Sequence, residues 1–234
     1  YSRCNKKYKH MKRIILLVTI LVSGAAMAQN EIEKTIGDFD ELKVYDLIEV
    51  ELVKSDQNKA IITGSNTQDV VINNKNGTLK IKMNIGKIFD GTNTKVKLYY
   101  KSLDIIDANE GAKIYSTDII KQFEINLKTQ EGGSIQVPLE VSYTNIKAVS
   151  GGSIKTKGVS KAQNVTLLTG GLYRGEELET DKTDVSINAA GEAHVKASKL
   201  VNAKIRAGGD VYVYGNPETI NENTALGGRV KKMN

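Results

Sequence analysis

The sequence predicts an all-β protein: a single-domain parallel β-helix, or solenoid, with coils of about 20 residues and a strand-rich N-terminal lead-in. Three observations carry that prediction. A small-residue corner recurs on Gly111, Gly132, Gly151, Gly170, Ala190 and Gly208, at spacings of 21, 19, 19, 20 and 18 residues. Around each anchor, apolar and polar residues alternate with the period of two that gives a strand an inner and an outer side. Six residues before the anchors stands a polar column: Asn126, Asn145, Asn164, Asp184 and Asn202, with Ile105 in the first coil.

The first element to set apart is residues 1–28. A basic pair, Lys12 and Arg13, precedes an apolar run over 14–22, and Ala26, Met27 and Ala28 form the small-x-small pattern of a cleavage site. That is the pattern of a secretory signal peptide, with an apolar centre too short to span a membrane. The ten residues before Met11 read as an overextended start. Residues 1–28 are therefore expected to be removed, leaving 29–234 as the mature chain.

Next comes the lead-in, over residues 36–101. Short apolar-rich runs, "KAIITGS", "DVVINN" and "GTLKIKMN" among them, are split by the turn sequences "NKNG" and "DGTN". These strands read either as first coils in irregular form or as a small cap. The repeats occupy 102–217. Five before the anchors stand Ile106, Leu127, Ile146, Val165, Val185 and Ala203; three after them stand Ile114, Ile135, Ile154, Tyr173, Ala193 and Val211. The same inside positions on every lap mean that each coil lays its strand on the one before. The corner glycines are expected to accept backbone angles closed to other residues. The Asn/Asp column is expected to tolerate left-handed corners and to stack its amides from coil to coil, with a ligand-binding row as the alternative. Residues 218–234 turn polar and read as a C-terminal cap, which an otherwise aggregation-prone end coil needs.

Composition narrows the function. The formal charge is +6, and residues 1–28 hold six basic and no acidic residues, so residues 29–234 are neutral. A nucleic-acid partner, which the whole-chain charge suggests, is not expected of the mature chain. Cys4 and His10 also fall in the leader, leaving no cysteine and the single His194. Cys-His catalysis, cysteine-rich zinc sites, c-type haem attachment and a lipidated cysteine are excluded by inventory. No cofactor and no metal is expected. With no apolar tail, the product is expected free in the periplasm, at the cell surface or secreted.

Two constellations are candidate binding sites. Glu192 and Asp210 share the column two after the last two anchors, as Glu110 and Glu131 share the one just before the first two. Stacked carboxylates repel unless a cation joins them, which fits a calcium site or an acid/base pair; a solvated face with Lys and Arg nearby is the preferred reading. Arg174, His194 and Tyr212 stand four after their anchors, stacked outward on three coils, where an exposed His beside Arg and Tyr suits a sugar or anion. Three polar side chains on an exposed strand are the plainer reading. A lone His without a nucleophile column makes a Ser-His-Asp triad unsupported, and no catalytic residues are assigned.

The lead-in "FDELKVYDLIEVELVKSDQNKAIITGSN", the small-Gly-small corners and the closing "VYVYGNPETI…GGRVKK" resemble the secreted bacterial auto-transporter adhesin family with a head GIN domain. The likeness covers roughly 36–232 and departs at the fifth corner, "AAGEA". It implies a right-handed β-helix, export, and no established enzymatic activity. The expected function is a non-enzymatic exported protein offering a long surface to glycan, a cell-envelope component or another protein. The rivals are a polysaccharide lyase or hydrolase and a self-associating, homo-oligomeric envelope protein.

Overall fold

The structure, a computed structural model, describes residues 31–233. The leader and signal peptide assigned to residues 1–28 lie outside the described residues. The lead-in comprises β1 (Ile32–Thr35), β2 (Glu41–Val44), β3 (Glu49–Lys54), β4 (Lys59–Gly64), β5 (Val70–Lys75), β6 (Thr78–Met83) and β7 (Thr94–Tyr100). The repeats follow as β8 (Ile105–Ala108), β9 (Lys113–Tyr115), β10 (Ile120–Thr129), β11 (Ser134–Val149), β12 (Ser153–Leu168) and β13 (Gly171–Glu179). They continue through β14 (Lys182–Ile187), β15 (Gly191–Lys196), β16 (Leu200–Ile205), β17 (Gly209–Tyr214), β18 (Thr219–Thr224) and β19 (Gly228–Lys232).

These strands build the parallel solenoid that the repeat predicts. Strands entering a tight corner pair in the order β6, β2, β8, β10, β11, β12, β14, β16, β18. Strands leaving one pair in the order β7, β3, β9, β11, β12, β13, β15, β17, β19. The long β11 and β12 bend from one stack into the other. Between the stacks lies one slender core, in which Ile106, Leu127, Ile146, Val165, Val185 and Ala203 are all buried.

The lead-in is both coil and cap. β2 lies between β6 and β8, and β3 between β7 and β9, so β2 and β3 form a coil inside the stack. The chain then passes outward through β4 and β5, which pair antiparallel with β7 and β6, while β1 closes antiparallel on β4. At the other end the expected cap over 218–234 is corrected. β18 and β19 are a further coil, in parallel register with β16 and β17, turning at Leu226 and Gly227. It reads as polar because, among the described residues, Ile220 and Val230 alone of this coil pack on the core, while Arg229, Lys231 and Lys232 place charge along it.

The first four Gly corners place two left-handed residues in a row, as a type I′ turn does: Ser150 and Gly151 have φ of 49° and 73°, Thr169 and Gly170 of 49° and 76°. Gly152 N–H closes its turn on the Val149 carbonyl at 2.9 Å. The two glycines of a Gly-Gly corner serve different needs. Gly170 supplies the positive φ and faces open space, whereas a Cβ on Gly171 would sit 2.2 Å from the Ala148 carbonyl oxygen of the coil below. At the fifth corner Ala190 takes the left-handed angle itself, at 46°, and the register holds on both sides.

The Asn/Asp column needs a second correction. None of Asn126, Asn145, Asn164, Asp184 or Asn202 has a positive φ; all lie within strands, ahead of the corner. The expected coil-to-coil side-chain bonds are present over two stretches of the column. Asn145 donates to Glu124 at 2.6 Å, Asn164 to Asn145 at 3.1 Å, Asn202 to Asp184 at 2.7 Å and Asn221 to Asn202 at 2.9 Å.

A polar relay threads the core where Tyr173 replaces an aliphatic residue. Thr156 donates to the Tyr173 oxygen (2.8 Å), Tyr173 to Gln163 (2.7 Å) and Gln163 to Thr183 (3.0 Å). Thr183 then donates to Thr180 (2.9 Å) and Thr180 to the Lys196 carbonyl (2.7 Å). Each side-chain polar atom in this relay has a partner, which offsets the cost of burying it.

Two outcomes follow from corner and relay. Gly171→Ala should lower stability by about 3 kcal/mol, because the new methyl meets backbone, and Gly170→Ala by only about 1–2 kcal/mol for the left-handed angle; denaturant midpoints compare them. Tyr173→Phe should cost about 1–3 kcal/mol by orphaning Gln163. Burial holds the Tyr173 phenol well above the usual tyrosine range. The unfolded phenol ionises near pH 10, so wild-type stability falls as pH rises past about 10. In Tyr173→Phe part of that fall should vanish, and Tyr100, pushed up to about 12 by burial, retains another part.

Candidate functional site

Strand alternation on β13, β15, β17 and β19 turns Tyr173, Ala193, Val195, Val211 and Val213 into the core and their neighbours outward. Register then brings the sequence candidates together. Arg174 pairs with His194, His194 with Tyr212 and Tyr212 with Lys231; Glu192 pairs with Asp210 and Asp210 with Arg229. All five predicted residues, Arg174, Glu192, His194, Asp210 and Tyr212, fall in one cluster spanning three coils.

His194 is its centre, and the expectation that it is exposed is corrected. Its side chain is only 10% exposed, because longer neighbours fold over it. The Tyr212 ring stacks on the imidazole with centroids 4.5 Å apart, and the Tyr214 ring lies at 6.0 Å. Glu192 Oε1 is 2.8 Å from Nε2, and Tyr214 Oη is 3.2 Å from Nδ1. A carboxylate only accepts, so the shorter contact makes Nε2 the donor to Glu192 and leaves Arg174 Nη1, 3.3 Å from the same nitrogen, in contact without a hydrogen bond; in the neutral ring Nδ1 then accepts from the Tyr214 hydroxyl. Arg174, 3.2 Å from the same Glu192 oxygen, completes a shared contact over the ring.

Around this centre each carboxylate is matched by a cation. Arg229 grips Asp210 in a bidentate pair, with Nε and Nη2 each 2.7 Å from a carboxylate oxygen. The hydrogen bonds from Arg229 hold the Asp210 carboxyl below the usual aspartate range. Lys231 stands 4.9 Å over the Tyr212 ring as a cation–π partner. Glu192 and Asp210 are thus each engaged with an arginine. Among the described residues, no group of three or more His, Cys, Asp or Glu side chains is placed to hold a metal ion.

Glu110 and Glu131 sit elsewhere, at the left-handed first positions of their corners, with φ of 52° and 50°. Burial, followed by the nearby Asp46 charge, raises the Glu110 carboxyl above its ordinary value. Sequence reasoning missed Tyr214, Arg229 and Lys231. Tyr214 follows Tyr212 by one strand alternation. Gly227, 19 residues after Gly208, is a seventh anchor that sets Arg229 and Lys231 two and four beyond it. Beside Tyr214, Lys196 and Gly215 begin a groove of about 540 Å³ along the looser bends, floored by Val141, Thr180 and Ala197.

Residues 38–217 match the family described as "Putative auto-transporter adhesin, head GIN domain". The chain belongs to this family. The match includes every residue of the cluster except Arg229 and Lys231. The fold resembles the crystal structure of a putative adhesin from Bacteroides fragilis, with TM-score 0.81 and 14% identity over 89% of this chain and 98% of that one. A putative adhesin from Parabacteroides merdae aligns with TM-score 0.67 and 15% identity, over the same 89% and 98%. A protein from Parabacteroides distasonis described as a putative lipid binding protein aligns with TM-score 0.65 and 20% identity, again over 89% and 98%. At identities this low the TM-scores show a common fold and nothing further. No curated protein matches the sequence. Among the described residues, no helix is long and apolar enough to cross a membrane.

His194→Ala should cost about 1–3 kcal/mol, since it removes a nearly buried ring and strands its polar partners. Lys204→Ala, on an exposed position of β16, should stay within about 0.5 kcal/mol of wild type. Thermal melts of the two variants check this.

Proposed function

We propose that this head GIN protein is an exported, non-enzymatic, adhesin-like protein that binds glycan across the outer face of its last coils. The observation that carries the reading is the pair Tyr212 and Tyr214, held against His194 with Arg174, Glu192, Asp210 and Arg229 around them. A sugar ring has an apolar face that packs on aromatic carbon and hydroxyls that bond to fixed charged groups. Tyrosine and arginine dominate binding energy where their conformations are fixed beforehand. Here the cluster's own contacts fix them. The adjoining groove gives an extended chain room to continue beyond Tyr214. The family description and the names of structural neighbours agree with a surface-binding role.

Engagement of both carboxylates by arginines argues against a lyase or hydrolase. A general acid needs a raised affinity for its proton, and Asp210 is shifted the other way. On an array of neutral and acidic polysaccharides, wild type should bind a subset. Tyr212→Ala with Tyr214→Ala should weaken that binding at least about tenfold. Unchanged binding in the double variant overturns the site. Release of sugar fragments that stops in Glu192→Gln or Asp210→Asn overturns the non-enzymatic reading.

A further inference from the structure

The connection between β6 and β7, residues 84–93, takes the place of a corner in its coil and does the opposite of what a corner usually does. It displays bulky apolar side chains. Ile85 is 85% exposed, Ile88 51% and Phe89 58%, and Phe89 holds a left-handed φ of 60°, a strained conformation for an aromatic residue.

The display is built, not loose. Asp46 is buried, and its carboxylate accepts the Met83 N–H at 2.9 Å and the Phe89 N–H at 3.1 Å, one at each oxygen. Its carbonyl accepts the Gly91 N–H at 3.1 Å. Asn84 donates to Asp69 at 2.6 Å and Asn66 donates to the Asp90 carbonyl at 3.0 Å, which ties both ends of the connection to its neighbours. Such an arrangement keeps a strained, water-exposed apolar tip in place at a cost in stability, which points to use rather than accident.

Lys80 and Lys82, exposed on β6, line a hollow of about 300 Å³ together with Ile85 and Ile88. Asp46 and Glu110 also line it, but both Asp46 oxygens are already accepting backbone N–H groups. Lys87 is paired with Asp90 at 3.3 Å. Lys80 and Lys82 have no carboxylate within ion-pair distance among the described residues, and the two lysines outnumber the one remaining carboxyl of the hollow, Glu110.

We infer that residues 84–93 form a membrane-surface contact that places Ile85, Ile88 and Phe89 among the acyl chains of an anionic lipid layer while Lys80 and Lys82 meet its headgroups. Tips that project bare on most sides suit a deformable medium, which closes around them, better than a rigid partner, which would need a matching pocket for each. Apolar side chains beside lysines are also the charge pattern that interfacial segments use on anionic lipid.

Flotation with vesicles of equimolar phosphatidylglycerol and phosphatidylcholine, and with phosphatidylcholine alone, tests this. Wild type should float with the anionic vesicles, weakly with the neutral ones, and less as salt rises. Ile85→Ser, Ile88→Ser and Phe89→Ser together should reduce binding at least about tenfold with an unchanged melting profile, because the three side chains are exposed. Lys80→Glu with Lys82→Glu should remove the preference for anionic vesicles. Equal binding to both lipids, or none to either, overturns the proposal. So does light scattering that shows wild type self-associating and the triple-serine variant monomeric, since the occupant is then a second copy. Glycan binding should be untouched by these variants, so the two functional readings fail separately.

Discussion

Successive residues with positive φ turn the chain at the tight corners, and at corners such as those closed by Gly133 and Gly152 a hydrogen bond across the turn leaves the exit direction little freedom. The strand that leaves must then lie on the strand below, residue against residue. The second glycine of a corner enforces the contact from outside, since at Gly171 the coil below approaches so closely that no side chain fits. With corner and approach both fixed, register is fixed, and a slip of one residue would turn every core side chain to water. The apolar columns, the amide ladder and the His194 cluster are all consequences of that register.

The corner also explains which parts of the fold were legible in the sequence. Glycine at a fixed interval and the alternation beside it are local signals, so the coil length and the column at Ile106, Leu127 and Ile146 could be read directly. The role of Asn145 and Asn164 was legible only in part: the amide stacking expected from the column is present, but the expected left-handed backbone is not, because the same residue type serves a turn or a ladder and only the neighbouring coil decides which. The path of the lead-in was hidden for a related reason. Nothing local in β2 says that β6, which follows it in the chain, will stack on its outer side and β8 on its inner. Residues 218–234 were read as a cap because the coil of β18 and β19 packs on a neighbour through one face alone among the described residues and so carries few apolar residues.

The candidate site shows the same division. Register placed Arg174, His194 and Tyr212 in one column and Glu192 and Asp210 in another, which the anchors alone reveal. Burial of His194 was not legible, since it depends on how far Tyr212, Tyr214 and Arg174 lean across the strand, a property of side-chain length and rotamer. The result is a surface whose charged groups satisfy one another while two tyrosine rings stay partly open. Such a surface loses little freedom when a ligand arrives, and it suits recognition better than proton transfer. The apolar connection at residues 84–93 lies at the other end of the stack, so a solenoid with both contacts active would meet a lipid surface with one end and present the cluster with the other.

Because residues 29–234 contain no cysteine, paired cysteines test the register most directly. Ser186 and Lys204 are Cα partners on adjacent coils, with both side chains outward, whereas Asn202 is the partner of Asp184. Oxidation of Ser186→Cys with Lys204→Cys should close a disulfide readily and leave the melting profile intact, since partners in a sheet lie within bridging distance. Ser186→Cys with Asn202→Cys, two residues out of register, should remain largely reduced. If the out-of-register pair closes as fast as the matched one, the coils are not locked as the corners require, and the shared column behind the His194 cluster is lost with them.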